Sequence, residues 1–200
     1  MGWCILIFSM SNLENTYSII DFDYIEVAKE LQVNMDGSAN ALNILMDLYE
    51  DNTPLSDVWP NSMTFNYFKK SKEANLDINL ASGWGVFSEK AFEVLKNLIE
   101  PYGEFLKISV EGDTKYIFNC LVFGEENTAL SDVEYVDGLP IGYRHIALNE
   151  ADVVQKVLFK SKLSGSMLFC NDAFVEAFKA HQLKGLTFTP VEDYIYKSEF

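Results

Sequence analysis

The chain has 200 residues, with 30 Asp and Glu against 15 Lys and Arg, a formal charge of −15, and 48% hydrophobic and 14% aromatic residues. Disordered segments pair high net charge with few aromatics, so 15 Phe, 10 Tyr and 3 Trp exclude a disordered tail and put the acid excess outside a folded core. The same charge repels phosphate backbones and anionic headgroups. It argues against nucleic acid and membrane surfaces as partners and makes a basic protein the natural one.

The opening MGWCILIFSM predicts a first β-strand. Its apolar run is too short to span a bilayer, no Lys or Arg precedes it, and it lacks a small-residue cleavage site. Leu6 stands where an N-myristoylation signal needs Ser or Thr, so no lipid anchor is expected. Three widely spaced cysteines, Cys4, Cys120 and Cys170, each sit in an apolar stretch and read as buried free thiols of a cytoplasmic protein.

In IIDFDYIE, Asp21 and Asp23 alternate as on a strand, which would either hold Mg²⁺ or, the favoured reading, face solvent. Leu42, Leu45, Met46 and Tyr49 recur at helical spacing over residues 39–49, before the turn-rich DNTPLSDVWPNS. The polar stretch KKSKEANLDINLASGWG reads as a connection, with a turn around Trp84. It places a boundary near residue 80, between an N-terminal α+β subdomain (1–80) and a C-terminal one (81–200).

Past that boundary the chain repeats itself. VFSEKAFEVLKNLIEPYGEFLKI from Val86 and LFCNDAFVEAFKAHQLKGLTFTPV from Leu168 align at an offset of 82, each reading as strand, helix, turn, strand. Ala91, Phe92, Leu95, Leu98 and Ile99 form one helical face after Ser88, a candidate N-cap; Ala173, Phe174, Ala177 and Phe178 form the other after Asn171. Two copies are too few for a solenoid, so the expected fold is α+β: a mixed sheet with helices, two fused subdomains, and the duplicated strand-helix-strand unit in the second. Between the copies lie the strand KYIFNCLVF, a loop from Gly124 to Gly142, and a strand or short helix through VVQKVLFKSK.

Catalytic chemistry finds little to work with. His145 and His181 are the only bases of their kind, and no G-x-S-x-G elbow accompanies them. His181 ends a helix face and reads as structural. The cysteines are too far apart for a zinc site, no H-E-x-x-H occurs, and ASGWGVF matches neither nucleotide-binding glycine pattern. No catalytic residue, metal or cofactor is therefore expected. Residues 100–152 carry −8, as much as the first 99, while residues 153–200 carry +1. Within that acidic block, Glu125, Glu126, Asp132, Glu134 and Asp137 alternate with Leu130, Val133, Tyr135, Val136 and Tyr143. Acids flanking aromatic anchors suit an interface with a basic partner, with Glu125, Glu126, Asp132, Glu134, Tyr135, Asp137 and Tyr143 as the candidate contact residues. The plain alternative is a solvated acidic loop.

The stretch SMLFCNDAFVEAFKAHQLKGLTFTPVEDY resembles the closing segment of the Imm11-type immunity proteins, with Lys184, Gly185, Leu186, Phe188 and Pro190 in the expected order. The segment from Val86 to Phe123 is similar to that family's middle part, through Ser88, Glu89, Leu95, Pro101, Gly103, Glu104, Tyr116, Phe118 and Asn119. The likeness spans about residues 84–194 and departs at Cys170-Asn171-Asp172, where Ser-Glu is commoner. The resemblance implies a cytoplasmic protein, not an enzyme, that binds and neutralises a cognate antibacterial toxin, often one delivered by type VI secretion. Two other readings are an enzyme that reverses toxin damage, using Asp21 and Asp23 with Arg144 or His145, and a general acidic adaptor or nucleic-acid mimic.

Overall fold

The structure, a computed structural model, describes residues 6–14, 17–37, 39–48, 51–61, 63–71, 76–81, 83–164 and 167–193. Cys4, Tyr49, Glu50 and Lys72 lie outside them. The described chain is an α+β fold of mixed sheets and helices. It runs through β1 (Ile7–Asn12), β2 (Ile19–Ile20), α1 (Tyr24–Asn34), α2 (Ala41–Asp47), β3 (Thr64–Phe65), β4 (Tyr67–Lys69), β5 (Ile78–Ala81) and β6 (Trp84–Ser88). It continues with α3 (Glu89–Ile99), β7 (Gly103–Val110), β8 (Asp113–Cys120), β9 (Asp132–Val136) and β10 (Leu139–His145). The last elements are α4 (Glu150–Val153), β11 (Leu158–Lys160), β12 (Leu168–Asn171), α5 (Asp172–Ala180) and β13 (Leu186–Pro190).

Two sheets carry the fold. One has the order β3-β7-β8-β6-β5, antiparallel except where β3 runs parallel to β7; the other, β11-β12-β1-β13, is antiparallel throughout. In each, a helix carries the chain across one strand, from β6 over β8 to β7 and from β12 over β1 to β13. The central strand is supplied differently. β8 follows β7 directly, whereas β1 comes from the start of the chain. The boundary drawn at residue 80 therefore falls inside β5, and the C-terminal sheet has an N-terminal strand at its centre.

The repeat is present in three dimensions, but its offset is 83, not 82. Ser88 and Asn171 cap α3 and α5, the Ser88 hydroxyl accepting from Ala91 N at 3.1 Å and the Asn171 amide oxygen from Ala173 N at 3.1 Å. Phe105 faces Phe118 as Phe188 faces Met10, and Phe87 faces Tyr116 as Cys170 faces Phe8. Letter matching aligned Gly103 with Gly185, whereas the ladders align Gly103 with Leu186. The buried face of α5 shifts with it to Phe174, Val175 and Phe178, leaving Ala173 and Ala177 half-buried.

Both helices pack into one core between the repeats, where Phe87, Leu95, Phe118, Leu158, Cys170 and Phe174 are essentially inaccessible. Burying each such large side chain stabilises by about 1.5–3 kcal/mol. A second cluster on the outer face of the first sheet is closed by α1 and α2 through Val27, Leu31, Ala41 and Leu45. The smaller third cluster covers the outer face of the second sheet with Ile146 and Val153 over Phe159 and Phe169. No helix among the described residues is long and apolar enough to cross a membrane.

Asp21 and Asp23 do not alternate on a strand. β2 ends at Ile20, and the Asp23 carboxylate caps α1, accepting from Ile25 N at 3.0 Å and Glu26 N at 3.2 Å. Cys120 and Cys170 are buried free thiols.

Candidate functional site

The stretch expected as a loop over 124–142 contains a β-hairpin. Val136 pairs with Leu139, and between them Asp137 (φ 51°) and Gly138 (φ 81°) are both left-handed, the conformation of a tight two-residue turn with the twist of its strands. β9 and β10 pair only with each other among the described residues, and two register shifts bend the ribbon.

The hairpin divides the candidate contact residues. Asp132, Tyr135 and Asp137 are exposed, Tyr135 at 61%, and the half-buried Glu134 approaches Arg144 Nη2 at 3.4 Å. Arg144 keeps 66% of its side chain exposed, so this pair is weak, worth at most about 1 kcal/mol. Arg144 is the one Lys or Arg between Asp132 and His145, against three acids.

The other three tie the hairpin's base to the core. Glu126 Oε1 accepts from Ser161 Oγ at 2.6 Å and Leu163 N at 3.2 Å, which fixes the turn after β11. Glu125 donates its N–H to Asp152 Oδ2 at 2.7 Å, and its Oε2 accepts from Asn149 Nδ2 at 3.0 Å, fastening the start of α4. The hydrogen bond from Lys156 holds the Asp152 carboxyl below its usual range. Tyr143 is half-buried against the third cluster, and burial, then the nearby charge of Glu126, raises its phenol. It stays protonated and acts as floor, leaving Tyr135 as the exposed aromatic.

At the base of the hairpin, where β10 ends, lies a cleft of about 330 Å³, lined by Leu6 and Ile7 at the start of β1, by His145–Leu148, and by Pro190–Glu192. Ile146 and Val153 are buried at its floor, while Leu6 (49%) and Leu130 (69%) stand exposed at its rim beside Glu150 and Glu192. Its walls come from segments far apart in sequence, and no local pattern gathers Leu130, His145 and Pro190 into one site.

Asp21 and Asp23 line a different cleft, of about 470 Å³, with Glu26, Glu30 and β3; His145 is not among its lining residues. The Asp pair and His145 thus line separate clefts. Among the described residues no group of three His, Cys, Asp or Glu side chains is arranged to hold a metal. No family model matches the chain, and comparison with curated proteins finds no match.

Proposed function

We propose that the chain is an Imm11-type immunity protein that binds a cognate antibacterial toxin domain of basic character in a one-to-one complex and so protects the producing cell. The observation that carries this reading is the hairpin: an exposed tyrosine among Asp132, Glu134 and Asp137, on a chain of net charge −15. Long-range attraction from the acids would speed encounter with a positive surface, while Tyr135 supplies contact area that loses its water on docking. The order of Lys184, Gly185, Leu186, Phe188 and Pro190 supports the family reading.

The experiment is capture with the tagged chain from its native bacterium through a salt series, followed by expression of the captured protein with and without the chain. The expected result is a single basic partner at one-to-one stoichiometry that stops growth unless the chain is present. A harmless partner, or protection at well below one equivalent, would overturn the reading. In the complex, combining D132N, E134Q, Y135A and D137N weakens binding by roughly tenfold to a hundredfold and flattens its salt dependence. Glu125, Glu126 and Tyr143 are left intact because their substitution would loosen the hairpin itself.

A further inference from the structure

The two sheets match strand for strand, yet their outer faces are covered unequally. On the first, the cluster that α1, α2 and the segment leading into β3 form with the sheet has sixteen buried residues among those described; the cluster on the second has four. Position by position the contrast is sharper. Ile108 of β7 is 2% exposed in the cluster that contains Met63 and Phe65, and the next residue, Ser109, donates its N–H to Met63 O at 2.9 Å. At the offset of 83 the positions that follow are Val191 and Glu192, in a 3-10 turn directly after β13, and both line the cleft at the base of the hairpin. Just past the end of β13 the described residues thus leave an apolar hollow at the place where, in the first repeat, β7 receives a polypeptide segment.

We infer that this cleft is a docking site for a basic segment of the partner protein, one that seats a large apolar side chain over Ile146, Val153 and Val191. The inference deepens the proposed function, from which it takes the partner's role as a toxin domain. The basic character of the segment follows from charge complementarity. Glu150 and Glu192 border the hollow, and neither Lys nor Arg is among its described lining residues. A volume of about 330 Å³ accommodates an aromatic or leucine side chain with its flanking backbone. Leu6 and Leu130 would close over it as a rim.

The test uses the full chain with labelled methyl groups and three synthetic ten-residue probes: lysines around a central Trp-Leu pair, the same with two serines at the centre, and glutamates around Trp-Leu. The first probe is expected to shift the methyl resonances of Ile7, Val153 and Val191, and to bind roughly tenfold or more tightly than the serine probe. Leu130→Ser, at an exposed position that leaves the fold alone, and Val191→Lys should each weaken it. Equal binding of the lysine probes, or shifts spread over other acidic surfaces, would overturn the inference in favour of unspecific charge attraction. Probe binding that emerges only after removal of residues 194–200 would assign the cleft to the chain's own end. Self-association abolished by Leu130→Ser would assign it to a second copy. These readouts do not depend on the toxin. Cleft binding without a toxic partner would sink the immunity reading alone, while toxin capture unaffected by both variants would sink the cleft alone.

Discussion

Gly185 sits at φ +119°, and a Cβ there would lie 1.9 Å from the carbonyl oxygen of Ile78. The close approach is needed because Lys184 is a junction: its carbonyl accepts from both Asp77 N and Ile78 N, and its N–H donates to the buried Asp77 carboxylate at 2.9 Å. The atoms it would meet belong to the Ile78 backbone and cannot swing away as a side chain could. Gly185→Ala is therefore expected to cost about 3 kcal/mol or more, visible as a lower urea midpoint. Gly112 is also left-handed (φ +91°) but has open space around it, so Gly112→Ala should cost only about 1 kcal/mol. Equal costs at the two sites would show that backbone angle, and not the packing of β5 on the 184–185 turn, sets the requirement. Sequence reading singled out Gly185 as part of a motif, but its reason is a contact with a residue more than a hundred positions earlier, which no local pattern encodes.

Burial also sets a pH dependence at residue level. It pushes the Cys120 thiol up to about 11 from an ordinary 9.0, and raises Cys170 as well. Above pH 9 the unfolded chain releases these protons while the folded chain keeps them, so the unfolded state is favoured increasingly. Stability is full below pH 9 and falls toward pH 11, by up to about 1.4 kcal/mol per pH unit for each thiol. Denaturant titrations of Cys120→Ala should show a shallower decline over that window. An unchanged slope would mean that Cys120 ionises in the folded protein as readily as in the unfolded one.

At the scale of elements, the hairpin is the piece least supported by the rest. β9 and β10 bond only to each other among the described residues, and a lone two-stranded ribbon is marginal in water. Gly138→Val puts a β-branched residue at φ 81° in a turn that needs two left-handed positions. Amide exchange over 132–145 should accelerate while the core strands and the global melting temperature stay almost unchanged. Loss of the whole fold would instead make the hairpin part of the cooperative core. The Asp137-Gly138 pair between alternating residues was a legible hairpin signal, yet the density of acids made the stretch read as a loop. α1 was missed similarly: Asp23 followed three residues later by Glu26 is a helix-start pattern, overlooked because Asp21 and Asp23 also alternate. The caps at Ser88 and Asn171 were legible because each precedes a run of apolar residues at helical spacing.

For the whole molecule, the deciding feature is where β1 goes. It lies between β12 and β13, pairing Phe8 with Cys170 on one side and with Pro190 on the other, so the second sheet cannot be completed without Ile7–Asn12. Asn12 extends the tie to the first repeat, its amide group exchanging hydrogen bonds with Leu80 O at 2.8 Å and Leu80 N at 2.7 Å. Composition and periodicity announce a strand at Ile7 but not its partners, which lie 160 to 182 residues away, and that is why residue 80 reads as a boundary. A fragment of residues 81–200 would lose β1, nearly all of β5 and the helices that close the outer face of β7 and β8. It would expose Phe118, Cys170, Leu106 and Ile117, each now almost wholly buried. At about 1.5–3 kcal/mol for each large apolar side chain, Phe118, Leu106 and Ile117 alone reach the range of a typical domain's entire stability of about 5–15 kcal/mol. The fragment is therefore expected to lack a cooperative thermal transition and dispersed amide resonances, and co-expression with residues 1–80 should restore both. A fragment that melts cooperatively by itself would mean that the C-terminal sheet can close without β1, and that the chain holds two independent folding units after all.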